Sequence, residues 1–242
     1  MKTTEYWKDY WNKYRLRQAN SMDDLYFQVG KTIDKKPISH ESFMIMIEGV
    51  HKKLALGKED TVIDLCCGNG LVTYELSSEV KEIFAVDFAK HLIDTARQLR
   101  SSPNIAYFQN DAIFVLREVL SKNNSKSIKI LMHDSLAYFE PQDLNEILAA
   151  IQEFGKGKTV SLFMTGIPDD ERKWSFYDTP ERRQRYLENT DKTANDGMGR
   201  WWRKNEIAEI CARYPVRFSI EDQLHVLSKY RMNLFIEHTV DE

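Results

Sequence analysis

Four polar groups recur along the middle of the chain, each following a short apolar run. The first is Asp64-Leu65-Cys66-Cys67-Gly68-Asn69-Gly70, a carboxylate followed by a turn of small residues. Small residues let the backbone turn tightly and let a ligand approach the main chain. The second is Asp87, a carboxylate able to accept hydrogen bonds from both hydroxyls of a ribose. The third is Asn110-Asp111-Ala112, a short polar pair that could meet the edge of a nucleobase. The fourth is His133-Asp134-Ser135-Leu136. An imidazole titrates near neutral pH, so His133 could act as a general base. It could equally be a residue whose backbone meets a cofactor. Asp134 could orient that histidine, bind a substrate, or simply cap a turn.

Short apolar runs must position these groups: 61–65, 82–87, 105–109, 128–133 and 159–164 read as buried strands. Helical patterns lie between them, with Leu92, Ala96 and Leu99 on one face and Leu144, Ile147, Leu148 and Ile151 on another. Strands alternating with helices predict an α/β, doubly wound, mostly parallel sheet. Right-handed crossovers put every strand's C-terminal end on one edge, where open α/β sheets bind ligands. Two more strands, around 216–220 and 231–239, close the sheet.

Taken together, these residues resemble the class I, Rossmann-like, S-adenosylmethionine-dependent methyltransferases, over roughly residues 60–165. The resemblance implies a seven-stranded sheet with an antiparallel last strand, and S-adenosylmethionine as cofactor. It implies that Asp64 orients the loop, with Leu65 and Asn69 in its path, and that Gly68 and Gly70 let the backbone meet the methionine and ribose. It assigns Asp87 to the ribose, Asp111 and Asn110 to the adenine, and Phe88 and Ala112 to the flanks of the ring. His133 falls beside the site of methyl transfer. Cys66 stands where the family has its first loop glycine. A nicotinamide dehydrogenase would need G-x-G-x-x-G, and Leu71-Val72-Thr73 supplies no third glycine.

The additions around this frame bear on the substrate. Residues 5–16 read as a helix with Tyr6, Trp7, Tyr10, Trp11 and Tyr14 on one face, either packed on the main domain or covering a pocket. Residues 21–37 read as polar and turn-rich, with 26–32 a loop. A second helix runs from an N-cap at Ser39 to about Leu54. Residues 169–202 form a lid-like insertion with a short helix at 180–187. The expected division is a helical cap over 1–56 and a Rossmann-like domain over 57–242. Tyr26, Gln28, Thr32, Tyr138 and Trp201 are candidate substrate contacts. Arg182, Arg183 and Arg185 either bind an anion or form a solvated helix face.

With 42% hydrophobic and 29% charged residues and a net charge of -3, the chain reads as globular, without the basic footprint of a nucleic-acid binder. Three cysteines, two of them adjacent, make neither a disulfide framework nor a zinc site. Cys66 and Cys67 are expected to pack rather than react. No metal is expected. No signal peptide or membrane span is read, which points to the cytoplasm. The expected reaction is methylation of a small polar molecule: O-methylation of a sugar, glycan precursor or specialised metabolite, with N-methylation of a small amine as the alternative. RNA methylation and a non-catalytic cofactor-binding protein are further alternatives. A homodimer is compatible with the sequence.

Overall fold

In a computed structural model of the chain, residues 3–14, 18–33, 35–189, 198–224 and 228–238 are described. Its elements are α1 (Thr3–Lys13), α2 (Met22–Gln28), a two-residue hairpin of β1 (Thr32–Ile33) and β2 (Lys36–Pro37), and α3 (His40–Leu54). The alternating region follows: β3 (Thr61–Leu65), α4 (Leu71–Leu76), β4 (Glu82–Asp87), α5 (Lys90–Leu99), β5 (Ile105–Gln109), α6 (Ala112–Lys122), β6 (Ser127–His133), α7 (Pro141–Phe154) and β7 (Thr159–Pro168). Last come α8 (Pro180–Asn189), α9 (Lys204–Cys211), β8 (Arg217–Asp222) and β9 (Arg231–His238).

The seven large strands form one sheet in the order β5-β4-β3-β6-β7-β9-β8. β3 pairs in parallel with both β4 and β6, and β9 runs antiparallel between β7 and β8. The order therefore reverses between β3 and β6. At such a switch point neighbouring crossovers leave on opposite faces and open a crevice at the strands' carboxyl ends. All five residues of β3 are buried, as a central strand covered on both faces requires. Ile63, Leu65, Ile130 and Met132 join the core under α6, α7 and α9, while Val62, Leu131 and Phe163 join the core on the other face. Phe43, Met46, Ile47, Val50 and Leu54 of α3 belong to that second core, so α3 covers one face of the sheet.

Local signals explain the helix starts. Ser39 caps α3 by accepting from the Ser42 amide, and Glu140 and Asp143 form a reciprocal capping box with Pro141 in the first turn of α7. One expectation is corrected. The turn-rich reading of 21–37 hides a helix, α2, and its end takes in Tyr26, Phe27 and Gln28. Ser21 caps it by accepting from the Asp24 amide. Seven residues are too few to show a helical period, but burial of Leu25 and Tyr26 against α3 holds the turn.

The insertion after β7 is pinned at both ends. The Asp169 amide donates to Tyr230 O, and the Trp202 amide donates to Pro168 O. The fully buried Trp202 indole donates to Leu136 O at 3.1 Å. Between these anchors lie a 3-10 turn (Asp170–Ser175) and α8, which carries the expected helix at 180–187. Residues 190–197 of the insertion, His225, and Thr239 at the expected end of the last strand lie outside the described residues.

Candidate active site

A cavity of about 760 Å³ opens at the carboxyl ends of β3, β4 and β6. Asp64, Cys66, Gly68, Asn69, Asp87 and Phe88 line one end. Thr32, His133, Asp134 and Tyr138 line the other, together with Trp11, Lys31, Phe139, Phe176, Tyr230 and Arg231.

The glycine loop is held from behind. Asp87 accepts the Gly68 amide at 3.0 Å and the Ala89 amide at 2.8 Å, tying the turn after β3 to the end of β4. Asp64 accepts from the Thr73 hydroxyl at 2.6 Å. Burial pushes both carboxyls up, Asp64 to about 7 and Asp87 to about 6; Thr73 pulls against it for Asp64, as do the Ala89 and Gly68 amides for Asp87. Cys66 keeps the left-handed backbone (φ +60°) that a glycine would take most easily, at a cost of about 1–2 kcal/mol. Gly70 (φ +74°) admits no side chain: a Cβ there would lie 2.4 Å from the Tyr107 hydroxyl. All three cysteines are free thiols, and burial raises the pKa of Cys66 and Cys67 well above the ordinary thiol range. That environment suits packing rather than nucleophilic chemistry.

The other end is a cluster of charges. Lys31 donates to the Asp134 carboxylate and to His133 Nε2, and Arg231 Nη1 lies 3.2 Å from Asp134 Oδ1. His133 Nδ1 meets the Thr165 hydroxyl. An ammonium has no lone pair, so His133 accepts from Lys31 through Nε2 and keeps its proton on Nδ1. Burial, reinforced by Lys31, lowers the His133 pKa to about 3. Burial alone would raise Asp134, but Lys31 and Arg231 outweigh it and hold the carboxylate below its usual range. Burial lowers Lys31 against the pull of Asp134. A bulge in β7 between Met164 and Ile167 shapes this corner. It places Gly166 at φ +69°, where a Cβ would stand 1.5 Å from Asp134 Oδ1.

Several expected residues sit elsewhere. Asn110, Asp111 and Ala112 lie off the cavity wall. Asp111 caps α6, accepting the Ile113 and Phe114 amides at 3.0 and 3.1 Å, and lies 3.5 Å from Lys8; Ala112 packs in the core. Leu65 is core, and Gly70 starts α4. Tyr26 is buried, its hydroxyl 3.2 Å from His40 Nδ1. Gln28 braces the loop by accepting from Asn69 Nδ2 at 2.9 Å. Both are buried because α2 is covered on more than one side, Tyr26 against α3 and Gln28 against the loop. Trp201 packs against Phe176, Tyr177 and Tyr230 behind the wall. Sequence reasoning missed Lys31, Gly166 and Arg231 as site residues; a basic residue in a polar segment and one opening a closing strand carry no periodic signal.

This strand order, with its antiparallel β9 and a glycine turn after the first large strand, is the class I, Rossmann-like methyltransferase fold. Residues 62–156 match the methyltransferase domain family. A probable cobalt-precorrin-6B C(15)-methyltransferase (decarboxylating) of Methanocaldococcus jannaschii is 33% identical over 69 residues, 28% of this chain and 36% of that protein. The alignment thus spans about a third of that relative's length. Among solved structures, a methyltransferase of Leishmania major superposes with a TM-score of 0.63 at 11% identity, covering 98% of this chain and 83% of that one. Magnesium protoporphyrin IX methyltransferase from Synechocystis, with bound S-adenosylmethionine, gives 0.56 at 12% identity, covering 99% and 98%. At these identities the structural likeness speaks for the fold.

The residues present fit the cofactor. Asn69 is fully buried beside the loop, and its Oδ1 has no hydrogen-bond partner, an acceptor suited to an ammonium group. Asp87 faces the same cavity with a carboxylate able to accept ribose hydroxyls. Among the described residues, no group of His, Cys, Asp or Glu could hold a metal ion, and no helix is long and apolar enough to cross a membrane.

Proposed function

We propose that this chain transfers the methyl group of S-adenosylmethionine to a hydroxyl oxygen of a small molecule. The observation that carries the reading is the continuity of the cavity. The glycine loop and Asp87 stand at one end, and a wall of Trp11, Tyr138, Phe139, Phe176 and Tyr230 stands at the other, within one chamber of about 760 Å³. Pockets of this size and lining take small molecules.

The cofactor, when bound, supplies a methyl group already activated by its sulfonium. The chain's contribution is to hold the partners and keep water out, a proximity effect. The backbone of 66–69, Asn69 Oδ1 and Asp87 would hold the cofactor. Thr32 and Tyr138 would meet the acceptor, with α1 closing over it: Trp7 and Trp11 pack on Tyr138 at 4.8 and 5.4 Å.

His133 and Asp134 are poorly placed to take the acceptor's proton. The Nε2 lone pair of His133 is engaged by Lys31, and Asp134 is held as a carboxylate between Lys31 and Arg231. Both read better as residues that fix Lys31. An acceptor hydroxyl that ionises readily, as a phenol does near pH about 10, needs a weaker base than a sugar hydroxyl. The aromatic wall favours the same choice, so a specialised aromatic metabolite fits better than a sugar. The test is a methyl-transfer screen over phenols, sugar nucleotides, amines and RNA. Transfer to a phenolic oxygen is the expected result. Transfer to RNA alone would contradict it.

A further inference from the structure

Lys31 and Arg231 come from opposite ends of the chain and converge on one carboxylate, Asp134. The Lys31 and Arg231 side chains are only 10% and 21% exposed. His133 contributes no charge near neutral pH, because burial and the neighbouring ammonium keep it deprotonated. Among the described residues, two cations therefore share one anion in a corner largely withdrawn from water. Charge so placed is strongly unfavourable unless paired. The other carboxylates on the cavity wall, Asp64 and Asp87, stand at the loop end and are engaged by Thr73 and by the Gly68 and Ala89 amides.

The corner is built to keep this arrangement. Arg231 Nη1 also donates to Gly166 O at 2.6 Å, and the missing side chain of Gly166 leaves the space that Asp134 Oδ1 occupies. The surroundings are aromatic. The indole N–H of Trp11 is shielded from water and has no acceptor among the described residues, so it too awaits an oxygen. Aromatic faces hold a flat ring, and a guanidinium binds carboxylate or phosphate oxygens in a matching plane.

We propose that Lys31 and Arg231 form an anion subsite in the acceptor end of the cavity, and that the acceptor is a flat aromatic small molecule bearing a carboxylate or a phosphate. The word acceptor rests on the methyltransferase reading; the anion subsite does not.

Calorimetric titrations with benzoate, phenyl phosphate and the neutral isostere benzamide test this, run on the full chain saturated with S-adenosylhomocysteine. At least one anion is expected to bind tenfold or more tightly than benzamide, and the stronger of the two identifies the group. Lys31→Met and Arg231→Gln should each weaken the anion tenfold or more while leaving benzamide unchanged, and Arg231→Lys should recover part of the loss. Two variants from separate elements guard against one failing to fold. Equal binding of benzoate, phenyl phosphate and benzamide would overturn the proposal, as would variants that weaken anion and benzamide alike. Displacement of the anion by S-adenosylhomocysteine in the unchanged protein would also overturn it, by assigning the two cations to the cofactor's own carboxylate. If S-adenosylhomocysteine does not bind, the methyltransferase reading fails, and the same titrations without it still decide whether the anion subsite exists.

Discussion

The two ends of the cavity are made in different ways. At the loop end the contacts come from one contiguous turn, residues 66–69, and from Asp87 on the adjacent strand. Parallel register between β3 and β4 brings them together, and backbone amides and a left-handed turn do most of the shaping. At the acceptor end Lys31, Asp134, Gly166 and Arg231 lie on four separate segments, and three side chains and the Gly166 carbonyl meet only when the N-terminal segment and β9 have both packed. An end built from backbone tolerates many side chains but not a change of turn. An end built from converging side chains can be retuned one residue at a time, which suits a fold that keeps its cofactor and varies its acceptor.

Substitutions that strike one end alone should separate the two. The largest effect is expected from Asp87→Ala, which removes a carboxylate holding the Gly68 and Ala89 amides and open to the ribose. Charge-assisted hydrogen bonds contribute about 1.5–3 kcal/mol each, so affinity for S-adenosylhomocysteine should fall by about 100-fold or more. Benzoate binding, read by calorimetry, should change little. Next comes Gly166→Ala at the other end. A positive φ and a Cβ driven into Asp134 should lower stability by about 2–3 kcal/mol, read from denaturant unfolding. The same variant should disturb benzoate binding while sparing S-adenosylhomocysteine. Equal damage to both ligands would mean that the ends are not independent.

A third effect is one of pH. Asp87 titrates near 6 and Asp64 near 7 in the ligand-free protein, both raised by burial. Ribose hydroxyls and a cationic ligand favour the carboxylate form, so affinity should tighten as pH rises. At pH 5, with Asp87 about nine-tenths protonated, binding should be about tenfold weaker than at pH 8. Stability of the free protein runs the other way. A carboxyl raised on folding contributes stability that is full below its unfolded pKa and is lost as pH rises through about 6 to 7. Asp87→Asn should flatten part of both profiles. The smallest effect is expected at Cys66. Cys66→Gly relieves a left-handed backbone but frees the unfolded chain, so thermal unfolding should show a net change within about 1 kcal/mol.

The same contrast governs what could be read from the sequence. The sheet was legible because apolar runs of five to ten residues alternate with amphipathic helices, and strands 61–65, 82–87 and 105–109 begin and end where those runs do, although 105–109, read as buried, is an edge strand with no buried residue. The glycine loop and Asp87 were legible because the loop end lies in contiguous residues at strand ends. Asp111 shows the limit of that logic. A polar residue at the end of a strand is also the residue before a helix, and here capping α6 takes it. Lys31 was obscured by a helix too short to announce itself. Gly166 was hidden by a bulge that no alternation pattern reports, and Arg231 needed the antiparallel placement of β9 beside β7 before it could face Asp134. Convergence across about a hundred residues, as between Lys31 and Asp134, is a property of topology rather than of spacing.

The most direct test of the central claim is a calorimetric titration of the unchanged protein with S-adenosylhomocysteine, run beside NAD. The loop lacks the third glycine that a pyrophosphate requires, and it presents Asn69 and Asp87 to an aminoacyl nucleoside. Saturable binding of S-adenosylhomocysteine at one site per chain, with no binding of NAD, is the predicted result. Binding of NAD, or failure to bind S-adenosylhomocysteine, would contradict the account.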